Sequence, residues 1–182
     1  MANVNAPKGA VPLRHMLGGV IRANTHTIAS GYATRIGRGD FVKMHSDGTI
    51  VRAAATEVIL GVFKGCKYTN SVGEPTWSDV WIASTVATDI EAYVYDDPYI
   101  VFGIQADGTL AATDIGACAD IVVANYDITT KTSQCEISAS VGASTAQLKI
   151  IGLERVPNNA WGANVDVEVL INEHFFKQEA GI

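Results

Sequence analysis

The chain has 182 residues, a formal net charge of −6 and three cysteines. A chain of this length buries enough apolar surface to fold as one domain without disulfides or metal ions. Its acidic balance argues against nucleic acid as a direct partner, because phosphate binding requires a basic patch. The odd number of cysteines, none in a Cys-x-x-Cys motif, argues against a disulfide framework and for synthesis in a reducing cytoplasm. No apolar run reaches the ~20 residues of a membrane span and the N-terminus lacks a signal-peptide pattern, so we expect no membrane partner.

Residues 1–27 show no clean helix or strand period, and they carry two prolines and the pair Gly18-Gly19. They also hold apolar side chains that a solvated tail would leave in water: Val11, Leu13, Met16, Leu17, Val20 and Ile21. We therefore predict an extended N-terminal arm that packs on a neighbouring subunit, and we expect the rest of the chain to stay folded without residues 1–12. A first strand that folds onto its own domain fits this composition equally well.

Residues 28–182 are predicted to form a single β-rich domain. Its first clear signal is a hairpin over residues 41–52, in which Asp47-Gly48 supplies the positive φ of a tight turn. The polar stretch 67–79 predicts a loop. Further short apolar runs predict strands at 58–63, 80–83 and 90–95.

The segment Asp96–Gln105 carries the strongest strand signal in the middle of the chain. Pro98 precedes a run of β-branched and aromatic residues, which predicts a central and largely buried strand. Gly103 interrupts the run and predicts a bulge or the close approach of another backbone. The pair Asp107-Gly108 predicts that a tight hairpin turn follows.

The remainder of the chain continues the β pattern. Strands are predicted at 133–139, 147–156 and 165–172. Gly152 breaks the second of these, and the third has the clearest apolar–polar alternation in the sequence. Many short strands separated by Gly and Asp turns predict an all-β fold, an antiparallel β-sandwich or β-barrel with little helix.

No arrangement of residue types in the sequence indicates catalysis, a cofactor or a metal ion. The four histidines are far apart and follow no metal-ligand spacing. The cysteines are predicted to be small core residues without a disulfide. Asp96-Asp97 is interpreted as a turn before Pro98, since neighbouring residues on a strand point to opposite faces. We therefore predict that the protein is not an enzyme.

Several segments, in one order over nearly the whole chain, resemble a known family. They are residues 1–7 followed by Arg14, then 61–69, 97–108, 114–117, 147–153 and 171–174. Together these segments are similar to the small structural proteins of tailed bacteriophages called capsid cement or decoration proteins.

The resemblance implies a virion protein without catalytic activity that binds the outer surface of the head. Such a protein bridges neighbouring subunits of the major capsid protein and stabilises the head against the pressure of packaged DNA. The resemblance also implies a homo-oligomer, with a trimer favoured over a dimer, and a location on the capsid surface after synthesis in the host cytoplasm. The acidic charge agrees with the outer face, because DNA inside the head would repel it.

We predict that the contacts with the capsid or with other copies use apolar, aromatic and arginine side chains. The candidates are Val4, Pro7, Val11, Leu13, Arg14, Met16, Tyr68, Trp77, Trp81, Phe175 and Phe176. The alternative function is a carbohydrate-binding or tail-fibre-type β domain that holds sugars on Trp77, Trp81 and Tyr68, since large aromatic side chains serve in binding surfaces as well as in cores.

Overall fold

The computed structural model describes residues 3–142 and 144–177. This part of the chain is nearly all β-structure, and its named strands pair antiparallel. The strands are β1 (Val11–His15), β2 (Asn24–His26), β3 (Phe41–Met44), β4 (Ile50–Arg52), β5 (Gly61–Thr69), β6 (Pro75–Ser78), β7 (Thr88–Tyr95), β8 (Ile100–Gln105), β9 (Thr109–Leu110), β10 (Cys118–Ala119), β11 (Ile121–Val122), β12 (Glu136–Ile137), β13 (Leu148–Leu153), β14 (Gly162–Ala163) and β15 (Asp166–Ile171). Two single-turn 3₁₀ helices span Ala112–Asp114 and Phe175–Lys177. The all-β prediction is confirmed.

Two sheets contain most of the strands. A five-stranded sheet has the order β1-β8-β15-β13-β10, and a six-stranded sheet has the order β2-β7-β5-β3-β4 with β6 paired to β5. Strand β15 is central in the first sheet, and its side chains alternate strictly between buried and half-buried. The predicted alternation at 165–172 is therefore that of a strand with one face on the core. Strands β9 and β14, and β11 and β12, form two small additional pairs.

The six-stranded sheet is buried on both faces in its central part. Phe41 and Val62 contribute to a first core, which the strands β8, β13 and β15 complete from the other sheet. Their chain neighbours Val42 and Phe63 contribute to a second core on the opposite face. Because successive side chains on a strand point to opposite faces, β3 and β5 supply both cores at once. The two sheets with the first core between them form a β-sandwich.

The second core is closed by two loops that fold over the sheet. Ile28 and Ile36 come from the loop after β2, and Trp81 comes from the loop after β6. Trp81 is fully buried, and its Nε1 donates a hydrogen bond to the Tyr32 carbonyl at 3.2 Å. Tyr68 packs edge-on against the Trp81 ring with the ring centroids 5.7 Å apart. The interface prediction for Tyr68 and Trp81 is thereby corrected, because the chain's own loops cover both side chains.

The structure does not confirm an extended N-terminal arm. The buried side chain of Gln105 accepts a hydrogen bond from Ala6 N at 2.8 Å and donates one to the Val4 carbonyl at 3.0 Å. The Lys8 ammonium lies 3.3 Å from the carboxylates of both Glu154 and Asp166. These contacts fix the segment that leads into β1 on its own domain.

Strand β1 completes the edge of the five-stranded sheet by pairing with β8, from Val11 opposite Gly103 to His15 opposite Ile100. The register shifts between Pro12 and Arg14. Proline and an irregular register both protect an edge strand from pairing with further chains. The second interpretation of this segment, a first strand folded onto its own domain, is the one that the structure supports.

The two Asp-Gly signals have different outcomes. Asp47-Gly48 closes the β3–β4 hairpin as predicted, with Gly48 at φ +81°. Asp107-Gly108 does not close a hairpin, because β9 pairs with β14 instead of β8. The Asp107 carboxylate accepts a hydrogen bond from Ala139 N at 2.7 Å, which connects this turn to a distant loop.

Three further local predictions are refined by the structure. Strand β8 is buried along its whole length, as predicted, although β1 places it second from the sheet edge. The group that approaches Gly103 closely is the carboxylate of Glu154, not another backbone. The predicted loop 67–79 holds the end of β5 and the whole of β6, and the predicted strand 80–83 makes only a single bridge from Trp81 to Ile36.

We expect the two neighbouring tryptophans to differ sharply in their effect on stability. Trp81→Ala removes a fully buried ring and should lower the free energy of unfolding by about 3–5 kcal/mol. Trp77 is 69% exposed, so Trp77→Ala should change the free energy of unfolding by less than ~1 kcal/mol. Urea titrations followed by circular dichroism measure both values. Equal losses for the two variants would contradict the assignment of Trp81 to the second core.

Deletion of residues 1–12 should destabilise the domain. It removes the partners of Gln105 and Glu154, two buried polar side chains, and each loss costs about 1–3 kcal/mol. Chemical denaturation of the truncated chain beside the full chain measures the difference. An unchanged unfolding midpoint would show that the segment is only loosely attached.

Candidate subunit interface

Three segments that are distant in sequence meet around Tyr99, and each carries exposed apolar side chains. Leu17 is 69% exposed, Phe176 56%, Met16 47% and Tyr99 41%. Met16 N donates to the Tyr99 carbonyl at 2.8 Å, and the Lys177 ammonium lies 5.0 Å from the centre of the Tyr99 ring. We refer to Met16, Leu17, Tyr99 and Phe176 as the Met16 patch. A cluster of this kind differs from scattered exposed apolar residues, which are normal on any protein.

The loop that carries Met16 and Leu17 is held in place by His15. The Nδ1 atom of this ring accepts hydrogen bonds from Leu17 N at 3.2 Å and from Gly19 N at 3.0 Å. A ring nitrogen that accepts two N–H groups carries no proton, so the proton of the neutral ring is on Nε2. Nε2 lies 3.2 Å from the Asp97 carboxylate and donates to it. The exposed apolar loop is therefore ordered by specific hydrogen bonds.

A second histidine supports the C-terminal side of the patch. His174 is fully buried, and its Nδ1 accepts a hydrogen bond from Phe176 N at 3.1 Å. The flanking backbone pairs with Ile59, through Ile59 N to the Glu173 carbonyl at 2.9 Å and Phe175 N to the Ile59 carbonyl at 2.8 Å. This pairing fixes the turn on which Phe176 is exposed.

Burial makes His174 hard to protonate in the folded state. It lowers the pKa of the imidazole from about 6.5 to about 4, and the nearby Lys177 ammonium acts in the same direction. The carboxylates of Asp96 and Asp97 act in the opposite direction and are outweighed. Asp96 is itself buried and is held by His26 Nε2 at 2.8 Å. Histidines 15, 26 and 174 thus converge on the Asp96-Asp97 pair, although they are far apart in sequence.

A second open surface lies on the five-stranded sheet. Arg14 on β1 forms an ion pair with Glu168 on β15 at 2.7 Å. Around this pair is a groove of about 720 Å³, which we refer to as the Trp161 groove. Its lining also includes Ile115, Ile151, Gly152, Leu153, Arg155 and Trp161. The groove combines apolar side chains with the Arg14–Glu168 ion pair and the Arg155 guanidinium, and protein contact surfaces likewise mix apolar and polar groups.

The predicted interface residues therefore divide into groups. Met16 and Phe176 lie in the Met16 patch, and Arg14 lines the Trp161 groove. Val4 and Val11 are exposed on the N-terminal segment, while Pro7, Leu13 and Phe175 are half-buried. Trp77 is exposed elsewhere, on β6.

The sequence indicates Leu17 only as one of the apolar side chains of the predicted arm, and it does not indicate Tyr99 as an interface residue. Leu17 directly precedes Gly18-Gly19, and Tyr99 directly follows Pro98. A large apolar residue beside a turn signal is the only local indication that such a side chain is exposed.

The three cysteines are free and buried, as their core assignment predicted. Burial raises the pKa of the Cys66 thiol to about 12 and raises that of Cys135 as well. Within residues 3–142 and 144–177, no group of three or more His, Cys, Asp or Glu side chains is arranged to hold a metal ion. No helix in the same residues is long and apolar enough to cross a membrane.

Comparisons of the chain with protein-family models, curated proteins and solved structures found no match.

The low pKa of His174 predicts a pH-dependent stability. The unfolded chain binds a proton at this residue below about pH 6.5, whereas the folded chain does so only below about pH 4. The free energy of unfolding should therefore fall by up to about 3 kcal/mol as the pH drops from about 6.5 to about 4. His174→Asn keeps an acceptor for Phe176 N and removes this contribution.

The measurement is the difference between wild type and His174→Asn in urea unfolding at several pH values. His45, an exposed histidine on the β3–β4 hairpin, offers the matched control His45→Asn. Parallel pH profiles of wild type and His174→Asn would show that residue 174 does not carry the effect.

Proposed function

We propose that this chain is a structural protein of a tailed-phage virion that binds the outer surface of the capsid lattice and bridges neighbouring major capsid subunits. The observation that carries the proposal is the Met16 patch, an ordered and exposed apolar cluster on an all-β domain. The ordered resemblance of six segments to cement proteins supplies the identity of the partner.

The Met16 patch has the properties of a contact surface. Apolar and aromatic side chains carry most of the binding energy in protein interfaces, particularly when they are preorganised. His15 and the backbone near Ile59 hold Leu17 and Phe176 in fixed positions, so little conformational entropy is lost on docking. Lys177 beside Tyr99 adds one positive charge at the margin of the patch.

Bridging requires contact with more than one subunit. The Met16 patch and the Trp161 groove are close along the chain, because Arg14 on β1 lines the groove and Met16 directly follows this strand. Two adjacent surfaces of different composition allow one copy to contact two neighbours at once. We further propose that copies of this chain associate, with a trimer favoured over a dimer, since a lattice position of three-fold symmetry would place equivalent surfaces on three capsid subunits.

The test uses isolated heads that lack this protein. The double variant Leu17→Ser/Phe176→Ser removes two exposed apolar side chains that belong to neither core, so the fold should be kept. Its affinity for the heads should be at least roughly tenfold weaker than that of wild type, because central apolar contacts typically carry more than ~1 kcal/mol each. Co-sedimentation with the heads measures the binding.

Val72→Ser is the matched control, since Val72 is 76% exposed in the turn between β5 and β6. It should bind as wild type does. The proposal is wrong if wild type does not bind the heads, and the role of the patch is wrong if the double variant and the control bind equally well.

A further inference from the structure

The outer part of the six-stranded sheet carries an aromatic groove that the proposed function does not use. Lys67 on β5 pairs with Trp77 on β6 and with Glu91 on β7, and Gly65 pairs with Tyr93. Trp77 and Tyr93 thus stand on one face of the sheet, on either side of β5. At Phe41 and Val62 this face packs on the first core, but at Trp77 it is open to solvent. The opening is a groove of about 600 Å³, which we refer to as the Trp77 groove.

The two rings stack on each other with an offset, and the Trp77 ring remains largely exposed. Their planes are parallel to within 4°, and their centroids are 6.0 Å apart. Residue 65 lies between them and has to be glycine: its φ is +155°, and an added Cβ would lie 2.9 Å from the Ser78 carbonyl oxygen. The absence of a side chain at Gly65 keeps the floor of the groove accessible.

Charged neighbours hold both rings in place. The Lys67 ammonium lies 5.5 Å from the centre of the Trp77 ring, and the Tyr93 hydroxyl donates to the Glu91 carboxylate at 2.9 Å. The Lys67 ammonium and the Glu91 carboxylate lie 3.6 Å apart, so this ion pair connects the group that contacts Trp77 with the group that binds Tyr93. The aromatic surface is therefore preorganised before any ligand arrives.

The margin of the groove supplies polar groups of both signs. The Lys64 ammonium can donate hydrogen bonds, and the exposed Asp79 carboxylate can accept them while it lies 3.6 Å from the Arg38 guanidinium. Lys67 and Arg38 each face a carboxylate, so the positive charge around the rings is largely balanced. A phosphate-bearing ligand such as a nucleotide would find little net attraction here. A fully apolar peptide would desolvate the charged margin without pairing it.

We propose that the Trp77 groove binds the pyranose rings of a neutral glycan. The C–H face of a pyranose stacks on an aromatic plane, while its hydroxyl groups need donors and acceptors at the edge of that plane. The Trp77 groove provides both, since the exposed Trp77 ring lies beside the Lys64 ammonium and the Asp79 carboxylate. The site differs from the predicted one, because Tyr68 and Trp81 lie in the second core and Tyr93 takes their place.

The experiment titrates the full chain with maltohexaose, cellohexaose, laminarihexaose and chitohexaose at up to millimolar concentrations. Acrylamide quenching of tryptophan fluorescence is measured in Trp161→Phe, because Trp161 is half-buried and open to the quencher, whereas Trp81 is fully buried and Trp77 is exposed. At least one glycan should reduce the quenching, and calorimetry with the same glycan should give a saturable isotherm.

Trp77→Ala and Tyr93→Ala should each weaken binding at least roughly tenfold. Tyr93→Phe keeps the ring and should bind within a few-fold of wild type. Tyr99→Ala removes an exposed tyrosine in the Met16 patch and should leave binding unchanged, which separates this site from the capsid contact. Binding of no glycan in the panel, or equal binding by wild type and Trp77→Ala, would overturn the proposal.

Discussion

The two-sided burial of the six-stranded sheet is the constraint on which the rest of the structure depends. Phe41 and Val42, like Val62 and Phe63, are adjacent residues that enter opposite cores. A sheet buried on both faces needs two covers, and the five-stranded sheet supplies one of them. The loops with Ile28, Ile36 and Trp81 supply the other. Where the six-stranded sheet extends beyond the five-stranded sheet, the same alternation of side chains leaves Trp77 exposed to solvent. The candidate glycan site therefore follows from the packing of the cores.

Buried polar side chains fix the long connections around these cores. Gln147 is fully buried and binds three backbone groups, donating to the Ala54 and Glu57 carbonyls and accepting from Ile121 N. Ser133 donates to the Asp40 carboxylate, and burial raises the pKa of that carboxyl. Each satisfied group stabilises a loop, whereas the loss of one partner would leave a costly unpaired group. Surfaces built on such loops keep their shape, which a binding surface requires.

Local patterns in the sequence were sufficient where one strand or one turn decides the outcome. The alternation at 165–172 predicts β15, and Asp47-Gly48 predicts the β3–β4 hairpin. The same dipeptide at Asp107-Gly108 does not close a hairpin, because β9 pairs with β14, more than fifty residues later in the sequence. A turn signal states that the chain reverses but not which strand it meets next.

The candidate sites were harder to predict because they depend on long-range contacts. The composition of the N-terminal segment indicates that its apolar side chains need a surface to pack on. It does not indicate whether a sheet of the same domain provides that surface. The side-chain type does not distinguish Trp77 from Trp81, since either one fits a core or a surface. His15 and His174 support one patch across the full length of the sequence, a relation that only the fold reveals.

The most direct test of the proposed function is a cryo-electron-microscopy map of the virion that contains this protein. We expect density for the β-sandwich at regular positions over the outer surface of the head, with the Met16 patch against the major capsid protein. Density only at the tail, or a sandwich on the head with Leu17 and Phe176 facing solvent, would contradict the account.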